Sequence, residues 1–304
     1  MKKTIIGLTL SMLLGSGVAV AADFNKGLKA AQSGDFKTAL AEWRPLAEQG
    51  NAKSQANLGN MFAFGQGVTK NDETAVKWYT KAAKQGVVSA QYNLGVMYEY
   101  GYGILKNVGT AVKWYTKAAE QGYAKAQHNL GIIYVNGIGV PENNKLALKW
   151  STAAAEQGMV MAQHNLGIWY ANGNIVPQNY KTAIMWFTLA SEQGFARSQY
   201  QLAQMHRRGE GVPQSYKSAV KWYTKAAKQG FTDSQLDLSL AYARGDGVLK
   251  DTKRAYMWLN LAAYNGDKQA TEKKEKLAKD MTPTDISKAL DMSSICLESG
   301  YKDC

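Results

Sequence analysis

The sequence has few of the residues that build metal centres and nucleophilic sites. Its 304 residues include only two cysteines and three histidines. A zinc site usually takes three or four Cys, His or carboxylate ligands, and a Ser-His-Asp assembly needs a well-placed histidine. No carboxylate pair stands out either. We therefore expect a protein without a metal or other cofactor and without catalytic activity.

Long apolar stretches are also missing, apart from one at the N-terminus. Two lysines precede an apolar run over residues 5–20, and Ala-Val-Ala at 19–21 fits an A-x-A cleavage site. This pattern predicts a secretory signal peptide at residues 1–21, with cleavage after Ala22 as the alternative. The run is short for a membrane span. We expect the mature protein to be soluble, monomeric and exported, either to the periplasm or out of the cell.

What the sequence does contain is an internal repeat of 36 residues. Six repeats follow one another without an insertion: 51–86, 87–122, 123–158, 159–194, 195–230 and 231–266. In two segments of each repeat, leucine, alanine and aromatic residues recur at the spacing of one helical face, so each repeat is predicted to be two antiparallel helices. A period of this length predicts an all-α solenoid.

Glycine marks the helix ends and one column inside the helices. A glycine follows each second helix, where a left-handed residue is favoured, and GxG separates the two helices. In one repeat Ile175 takes the second glycine position, so we expect that turn to bend differently. The column inside the first helices holds only small residues: Gly59, Gly95, Gly131, Gly167, Ala203 and Ser239. Because a helix-interior glycine costs about 1 kcal/mol relative to alanine, this column predicts close approach of a neighbouring helix.

The segments AQYNLGVMYEYGYG and AVKWYTKAAEQG resemble the Sel1-like repeat, a relative of the tetratricopeptide (TPR) repeat. The resemblance covers essentially all of residues 24–300. It implies a right-handed superhelical α/α solenoid whose first helices line a concave groove. It also implies an adaptor that binds other proteins.

The two ends depart from the repeat pattern. Residues 22–50 are predicted to be a degenerate, capping helix pair, and residues 267–304 a pair of C-terminal capping helices. In the latter segment Pro283 is expected to break the first helix, and Thr284 and Asp285 to cap the second.

Cys296 and Cys304 are the only cysteines and lie close to the C-terminus. In an exported chain an even pair favours a disulfide, which would be worth about 2–3 kcal/mol for so short a loop. A redox-active pair would more often have the CxxC spacing.

Positions outside the core columns of the first helices are the candidate binding residues. The asparagine column is Asn57, Asn93, Asn129 and Asn165. A side-chain amide both donates and accepts, so these residues could contact the backbone of a bound peptide. They could equally form hydrogen bonds between repeats.

Two further columns belong to the same surface. One contains Tyr92, His128, His164 and Tyr200, and the other contains Tyr100, Asn136, Asn172 and Arg208. Tyrosine and arginine are common in binding hot spots, so this surface suits a protein or peptide. A metal site at the two histidines is disfavoured, because two ligands are too few.

The second helices carry a stripe of lysines: Lys77, Lys81, Lys84, Lys113, Lys117, Lys145, Lys149, Lys221, Lys225 and Lys228. Loss of the two signal-peptide lysines would leave 34 basic against 24 acidic residues, a formal charge of +10. The stripe fits a solvated face that keeps the solenoid soluble. The alternative is an envelope- or host-surface-binding protein that attracts an anionic membrane, lipopolysaccharide or an acidic partner through this face. No nucleic-acid-binding motif is present.

One short motif raises the possibility of an enzyme. Ser218 and Lys221 match the SxxK motif of β-lactamase-type hydrolases. The partner motifs of those enzymes are missing, and other repeats carry threonine or leucine at the serine position. The match is therefore best explained as a variable surface position.

Overall fold

The computed structural model describes residues 22–304, so the signal peptide expected at 1–21 lies outside the described residues. Within 22–304 the chain forms sixteen α-helices and no strand. They are α1 (Phe24–Gln32), α2 (Phe36–Glu48), α3 (Ala52–Phe64), α4 (Asp72–Lys84), α5 (Val88–Tyr100), α6 (Val108–Glu120), α7 (Ala124–Asn136), α8 (Asn144–Glu156), α9 (Val160–Asn172), α10 (Tyr180–Glu192), α11 (Ala196–Arg208), α12 (Tyr216–Ala227), α13 (Thr232–Arg244), α14 (Thr252–Tyr264), α15 (Lys268–Ala278) and α16 (Pro283–Glu298). None of these helices is both long enough and apolar enough to cross a membrane.

The helices fall into two compact units. The first compact unit ends at Lys106 and contains α1 to α5, and the second runs from Asn107 to Cys304 and contains α6 to α16. We number the 36-residue repeats 1 to 6 from residue 51. Each consists of two helices, as predicted, and the described chain is an all-α repeat solenoid. Repeat 2 contributes α5 to the first compact unit and α6 to the second.

Small and branched apolar residues form the core of each repeat. The predicted leucine column is at most 2% exposed: Leu58, Leu94, Leu130, Leu166, Leu202 and Leu238. One alanine from each second helix is at most 1% exposed: Ala75, Ala111, Ala147, Ala183, Ala219 and Ala255. The periodicity therefore identified the buried faces correctly.

The small-residue column lies where the two helices of a repeat touch. A Cβ built on Gly167 would lie 2.5 Å from ring carbons of Phe187 in α10. The ring of Tyr79 occupies the corresponding place against Gly59. The predicted close approach is confirmed. The turn with Ile175 also differs as expected, since the second turn glycine has a positive φ in the other repeats, 67° at Gly139 for example, and Ile175 does not.

A buried glutamine in every first helix joins neighbouring repeats, and our sequence analysis did not identify it. The six are at most 5% exposed: Gln55, Gln91, Gln127, Gln163, Gln199 and Gln235. Each donates to the carbonyl oxygen eight residues earlier, in the last turn of the preceding second helix. Carbonyls in a last helical turn lack helical donors, so the glutamine supplies one.

The C-terminal helices differ from the prediction at one point. Thr282, rather than Thr284 or Asp285, is the N-cap of α16, and its side chain accepts the N–H of Asp285 at 3.1 Å. Pro283 is the first residue of α16 rather than only a break after α15. A proline is favoured there because its fixed φ suits a helix and its missing N–H would have no helical acceptor.

A disulfide joins Cys296 to Cys304 and holds the C-terminal tail against the repeats. Cys296 is fully buried in the core formed by repeats 5 and 6 and α16. The Tyr301 hydroxyl donates to Asn265 Oδ1 at 3.0 Å, and Lys228 Nζ donates to the carbonyl of Lys302 at 3.0 Å. The tail therefore covers part of the last repeats.

Candidate functional site

Asn93, in the predicted asparagine column, uses its amide to connect two repeats. Its Nδ2 donates to Asn60 Oδ1 at 3.1 Å, and the Tyr79 hydroxyl donates to the same oxygen at 2.8 Å. One of the two roles expected for the column, the inter-repeat hydrogen bond, is thus present here. Contact with a peptide stays a prediction for Asn57, Asn93, Asn129 and Asn165, all of which are half-buried.

The column of Tyr92, His128, His164 and Tyr200 is half-buried rather than open. The His164 ring lies 5.1 Å from the Phe195 ring, and its Nδ1 is 2.9 Å from Ser198 Oγ in the next repeat. Tyr200 packs in the same way, 5.4 Å from Phe231. Burial lowers the pKa of His164 to about 4, with a smaller effect from Arg197. We infer that this column mainly stabilises contacts between repeats.

The third predicted column is exposed, as a binding surface requires. Tyr100 is 56% exposed and stacks on Tyr102, with ring centroids 5.6 Å apart. Asn136 and Asn172 are exposed at the ends of α7 and α9. Arg208 forms an ion pair with Glu210, with Nη1 and Oε1 3.6 Å apart.

Three clefts open where the first helices of consecutive repeats meet. The first cleft lies in the first compact unit between α3 and α5, has a volume of about 300 Å³, and is lined by Phe64, Asn93 and Tyr102. The second lies between α9 and α11, measures about 520 Å³, and is lined by Asn172, Tyr200 and Arg208. The third lies between α11 and α13, measures about 100 Å³, and is lined by Arg207, Tyr223, Asp237 and Arg244.

The clefts share a frame and differ in lining. Asn93, Gln201 and Asp237 occupy the same repeat position in the three clefts, and Tyr79, Phe187 and Tyr223 occupy another. Around this frame the linings differ. The first cleft has the aromatic rings of Phe64 and Tyr102 beside the Lys70–Asp72 ion pair, the second has Arg208 and Glu210, and the third has Arg207, Arg244 and Asp246. Such variation on a fixed frame is typical of a surface that recognises a specific partner.

Several cleft residues were missed by our sequence analysis, among them Phe64, Tyr102, Arg207, Arg244 and Asp246. They lie in the last turn of a first helix or in the GxG turn after it. A signal was available, because these positions change chemical type from one repeat to the next while the first glycine of the turn does not.

The lysine stripe is solvent-exposed, except that Lys228 is half-buried. Several of its lysines lie over the tryptophan of their own helix: Lys81 Nζ is 4.5 Å from the centre of the Trp78 ring, and Lys225 Nζ is 4.2 Å from that of Trp222. The ion pairs described within residues 22–304 all involve other residues. Repeat 4 interrupts the stripe with Met185 and Leu189.

The SxxK serine has an ordinary structural role. Ser218 lies in the first turn of α12, where its N–H donates to the N-cap Ser215 Oγ at 3.2 Å and its own Oγ lies 3.0 Å from the same oxygen. Lys221 is exposed. In the part of the chain that the structure describes, no cluster of His, Cys, Asp and Glu could hold a metal ion.

Comparison with known proteins identifies the repeat. The Sel1 repeat model matches residues 52–87, 88–123, 124–159, 160–195, 196–231 and 232–267. A Sel1 repeat protein from Oxalobacter formigenes is 36% identical with a TM-score of 0.68, and the match covers 80% of this chain and 97% of that one. A second structure is c5321, a protective antigen present in uropathogenic Escherichia coli strains that displays an SLR fold. It is 28% identical with a TM-score of 0.59, covering 91% of this chain and 69% of that one. Among curated proteins, none matches. The chain therefore belongs to the Sel1 repeat family.

Proposed function

We propose that this chain is an exported, non-catalytic scaffold that binds a protein or peptide along the surface formed by its first helices. Sel1 repeat proteins are generally non-catalytic scaffolds and commonly mediate protein interaction. The observation that carries the proposal is the set of three clefts, which occupy equivalent places between repeats 1 and 2, 4 and 5, and 5 and 6 and have different linings.

The exposed side chains at the clefts suit protein recognition. Phe64 is 72% exposed and Tyr102 50% exposed at the first cleft. Aromatic residues and arginine are enriched among binding hot spots, and Arg208 supplies the latter at the second cleft. The hydrogen bonds of Asn60 with Tyr79 and Asn93 hold the floor of the first cleft in place. A preorganised floor lowers the entropic cost of binding.

Export is supported by two independent features. Residues 1–21 have the pattern of a signal peptide, and the Cys296–Cys304 disulfide is of a kind that persists in oxidising compartments. The partner is therefore expected in the cell envelope or outside the cell.

The test is capture of partners from envelope extract by the immobilised mature protein and matched variants. Phe64→Ala/Tyr102→Ala alters the first cleft, Asn172→Ala/Arg208→Ala alters the second, and Lys81→Ala/Lys225→Ala is the control on the lysine stripe. We expect a discrete partner to survive the control and to be lost or weakened in at least one cleft variant. All the substituted side chains are exposed, so the variants should keep the helical circular dichroism spectrum of the parent.

The second candidate function is attraction of an anionic surface through the lysine stripe. Its support is that the stripe lysines other than Lys228 are exposed, and that none of the ion pairs described within residues 22–304 involves a stripe lysine. Binding of this kind should fall steeply with salt and with loss of Lys81 and Lys225, while the cleft variants bind normally. That outcome would contradict the cleft proposal.

A further inference from the structure

A fourth cleft lies between α13 and α15, at the C-terminal end of the repeats, and has a volume of about 260 Å³. It adjoins the third cleft, because Leu240 of α13 lines both. Most of its lining residues correspond in repeat position to residues of the first cleft. They are Ala243, Leu259, Lys273, Lys276 and Leu277, which correspond to Ala63, Tyr79, Asn93, Val96 and Met97. The frame of the clefts therefore extends into the C-terminal capping helices.

The floor of the fourth cleft is aliphatic. Leu259 is 4% exposed and stands where each of the other three clefts has an aromatic ring. Leu240 and Leu277 are half-buried and keep part of their surface open to the cleft. Ala243 stands where the third cleft has Arg207, so no long side chain enters from this position.

The size of the cleft agrees with one large apolar side chain. Its volume of about 260 Å³ is several times the roughly 30 Å³ that a water molecule occupies in the liquid. It is also smaller than the pockets of about 300–1,000 Å³ that take drug-sized ligands and cofactors. A leucine, methionine or phenylalanine side chain would cover the aliphatic floor.

Two lysines of α15 stand at this floor. Lys273 is half-buried and Lys276 is exposed, and neither belongs to an ion pair described within residues 22–304. A lysine can lay its alkyl stem along an apolar surface while its ammonium stays in water. Lys274, between them, is engaged elsewhere, since its Nζ donates to Asn260 Oδ1 at 3.0 Å. Asp280 also lines the cleft, so two positive charges stand against one negative charge.

This combination defines the chemistry of the occupant. An aliphatic floor favours an apolar side chain, and ammonium groups beside it favour carboxylates near that side chain. An Asp280 carboxylate on the same wall disfavours a group with several negative charges, such as a phosphate. The shared wall at Leu240 favours a segment of the same peptide that lies in the third cleft.

We propose that the fourth cleft binds an apolar side chain flanked by acidic residues of a peptide partner. The apolar side chain contacts Leu240, Leu259 and Leu277, and the flanking carboxylates pair with Lys273 and Lys276. The proposal rests on the proposed function, because it specifies what one further cleft recognises.

The test titrates the isotope-labelled mature protein with three N-acetylated tripeptide amides and follows the backbone amide chemical shifts. Glu-Leu-Glu carries both features, Gln-Leu-Gln has nearly the same shape without the charges, and Glu-Ala-Glu has the charges without the large apolar side chain. We expect Glu-Leu-Glu to shift the amides of α15 around Lys273 and Leu277. Each of the other two peptides should bind at least about tenfold more weakly.

Matched variants separate the cleft from the general charge of α15. Lys273→Gln/Lys276→Gln should weaken Glu-Leu-Glu by about tenfold, since both ion pairs are lost. Lys268→Gln/Lys279→Gln removes the same charge from exposed positions at the ends of α15 and should change the affinity by less than about twofold.

A third variant blocks the cleft without removing a lysine. Ala243→Glu places a long acidic side chain where the third cleft already accommodates Arg207. It should weaken Glu-Leu-Glu by about tenfold or more and keep the helical circular dichroism spectrum of the parent.

Several results would overturn the inference. They are equal binding of Gln-Leu-Gln or Glu-Ala-Glu, an equal loss in Lys268→Gln/Lys279→Gln, or unchanged affinity in Ala243→Glu. A partner that is captured through the first or second cleft while no tripeptide shifts α15 would also overturn it and leave the proposed function standing.

Discussion

Replacing Gln163 with methionine removes two hydrogen bonds, one to repeat 3 and one within repeat 4, and changes the side-chain volume little. Gln163 is 3% exposed, and its Nε2 donates to the carbonyl of Ala155 at 3.0 Å. Its Oε1 accepts from Gln193 Nε2 at 2.9 Å. Methionine is also unbranched and of similar length, so a cavity is not expected.

The expected loss of stability follows from these contacts. A hydrogen bond contributes about 1 kcal/mol net, and a buried partner left without one costs about 1–3 kcal/mol. The Ala155 carbonyl keeps the N–H of Gly158 at 2.9 Å, so the larger penalty does not apply. We therefore expect Gln163→Met to lower the free energy of unfolding by about 2 kcal/mol. Gln193→Met, on the exposed partner, should cost about 1 kcal/mol or less.

The assay is urea unfolding followed by circular dichroism, together with amide hydrogen exchange. Solenoids can open one repeat at a time, so exchange is needed to locate the loss. We expect faster exchange in α8 and α9, with α12 to α14 little affected. A Gln163→Met variant within 0.5 kcal/mol of the parent, or no less stable than Gln193→Met, would refute this account of how the repeats are joined.

Three further predictions concern packing, pH and the disulfide. Gly167→Ala should lower stability by about 1–2 kcal/mol in urea unfolding, because its Cβ meets the buried Phe187 ring and overpacking outweighs the gain in helix propensity. Since burial lowers the folded pKa of His164 to about 4, protonation favours the unfolded chain. Stability should therefore be fully present above about pH 6.5 and fall as the pH drops towards 4, by about 1–2 kcal/mol after solvent screening. His164→Asn should flatten this part of the stability–pH curve. Cys296→Ser should cost about 2–3 kcal/mol and speed proteolysis after α15, while exchange in α7 to α10 stays unchanged.

The repeat, its helices and most of its core could be predicted because they follow from periodic patterns. The 36-residue spacing and the alanine and leucine faces are local properties of the chain. The column from Gly59 to Gly167 revealed the tight helix contact, since a conformationally costly residue kept at one place needs a packing reason.

The six buried glutamines of the first helices could not be predicted from hydrophobic patterning, because a polar residue is expected at the surface unless its buried hydrogen-bond partners are known. Gln163 is buried because a carbonyl of the preceding repeat lies within reach. The sequence did contain a signal for this position, because glutamine occupies it in all six repeats.

The candidate site was only partly predictable for a related reason. Exposure of side chains such as Arg208 follows from their place at a helix end. The half-burial of His164 and the hydrogen bond between Asn93 and Asn60 depend on how neighbouring repeats pack.

The most direct test of the central claim is site-specific photo-crosslinking in the living cell. A photoreactive phenylalanine analogue would replace Tyr102 at the first cleft, Asn172 at the second, or Lys81 on the lysine stripe. We predict a discrete crosslinked protein at Tyr102 or Asn172 in the cell. The same crosslink should form to the same extent when the cells are lysed and illuminated at about 1 M salt, where the Debye length is about 3 Å. Crosslinks at Lys81 alone, lost at high salt, would contradict binding along the first helices and would assign the function to the lysine stripe.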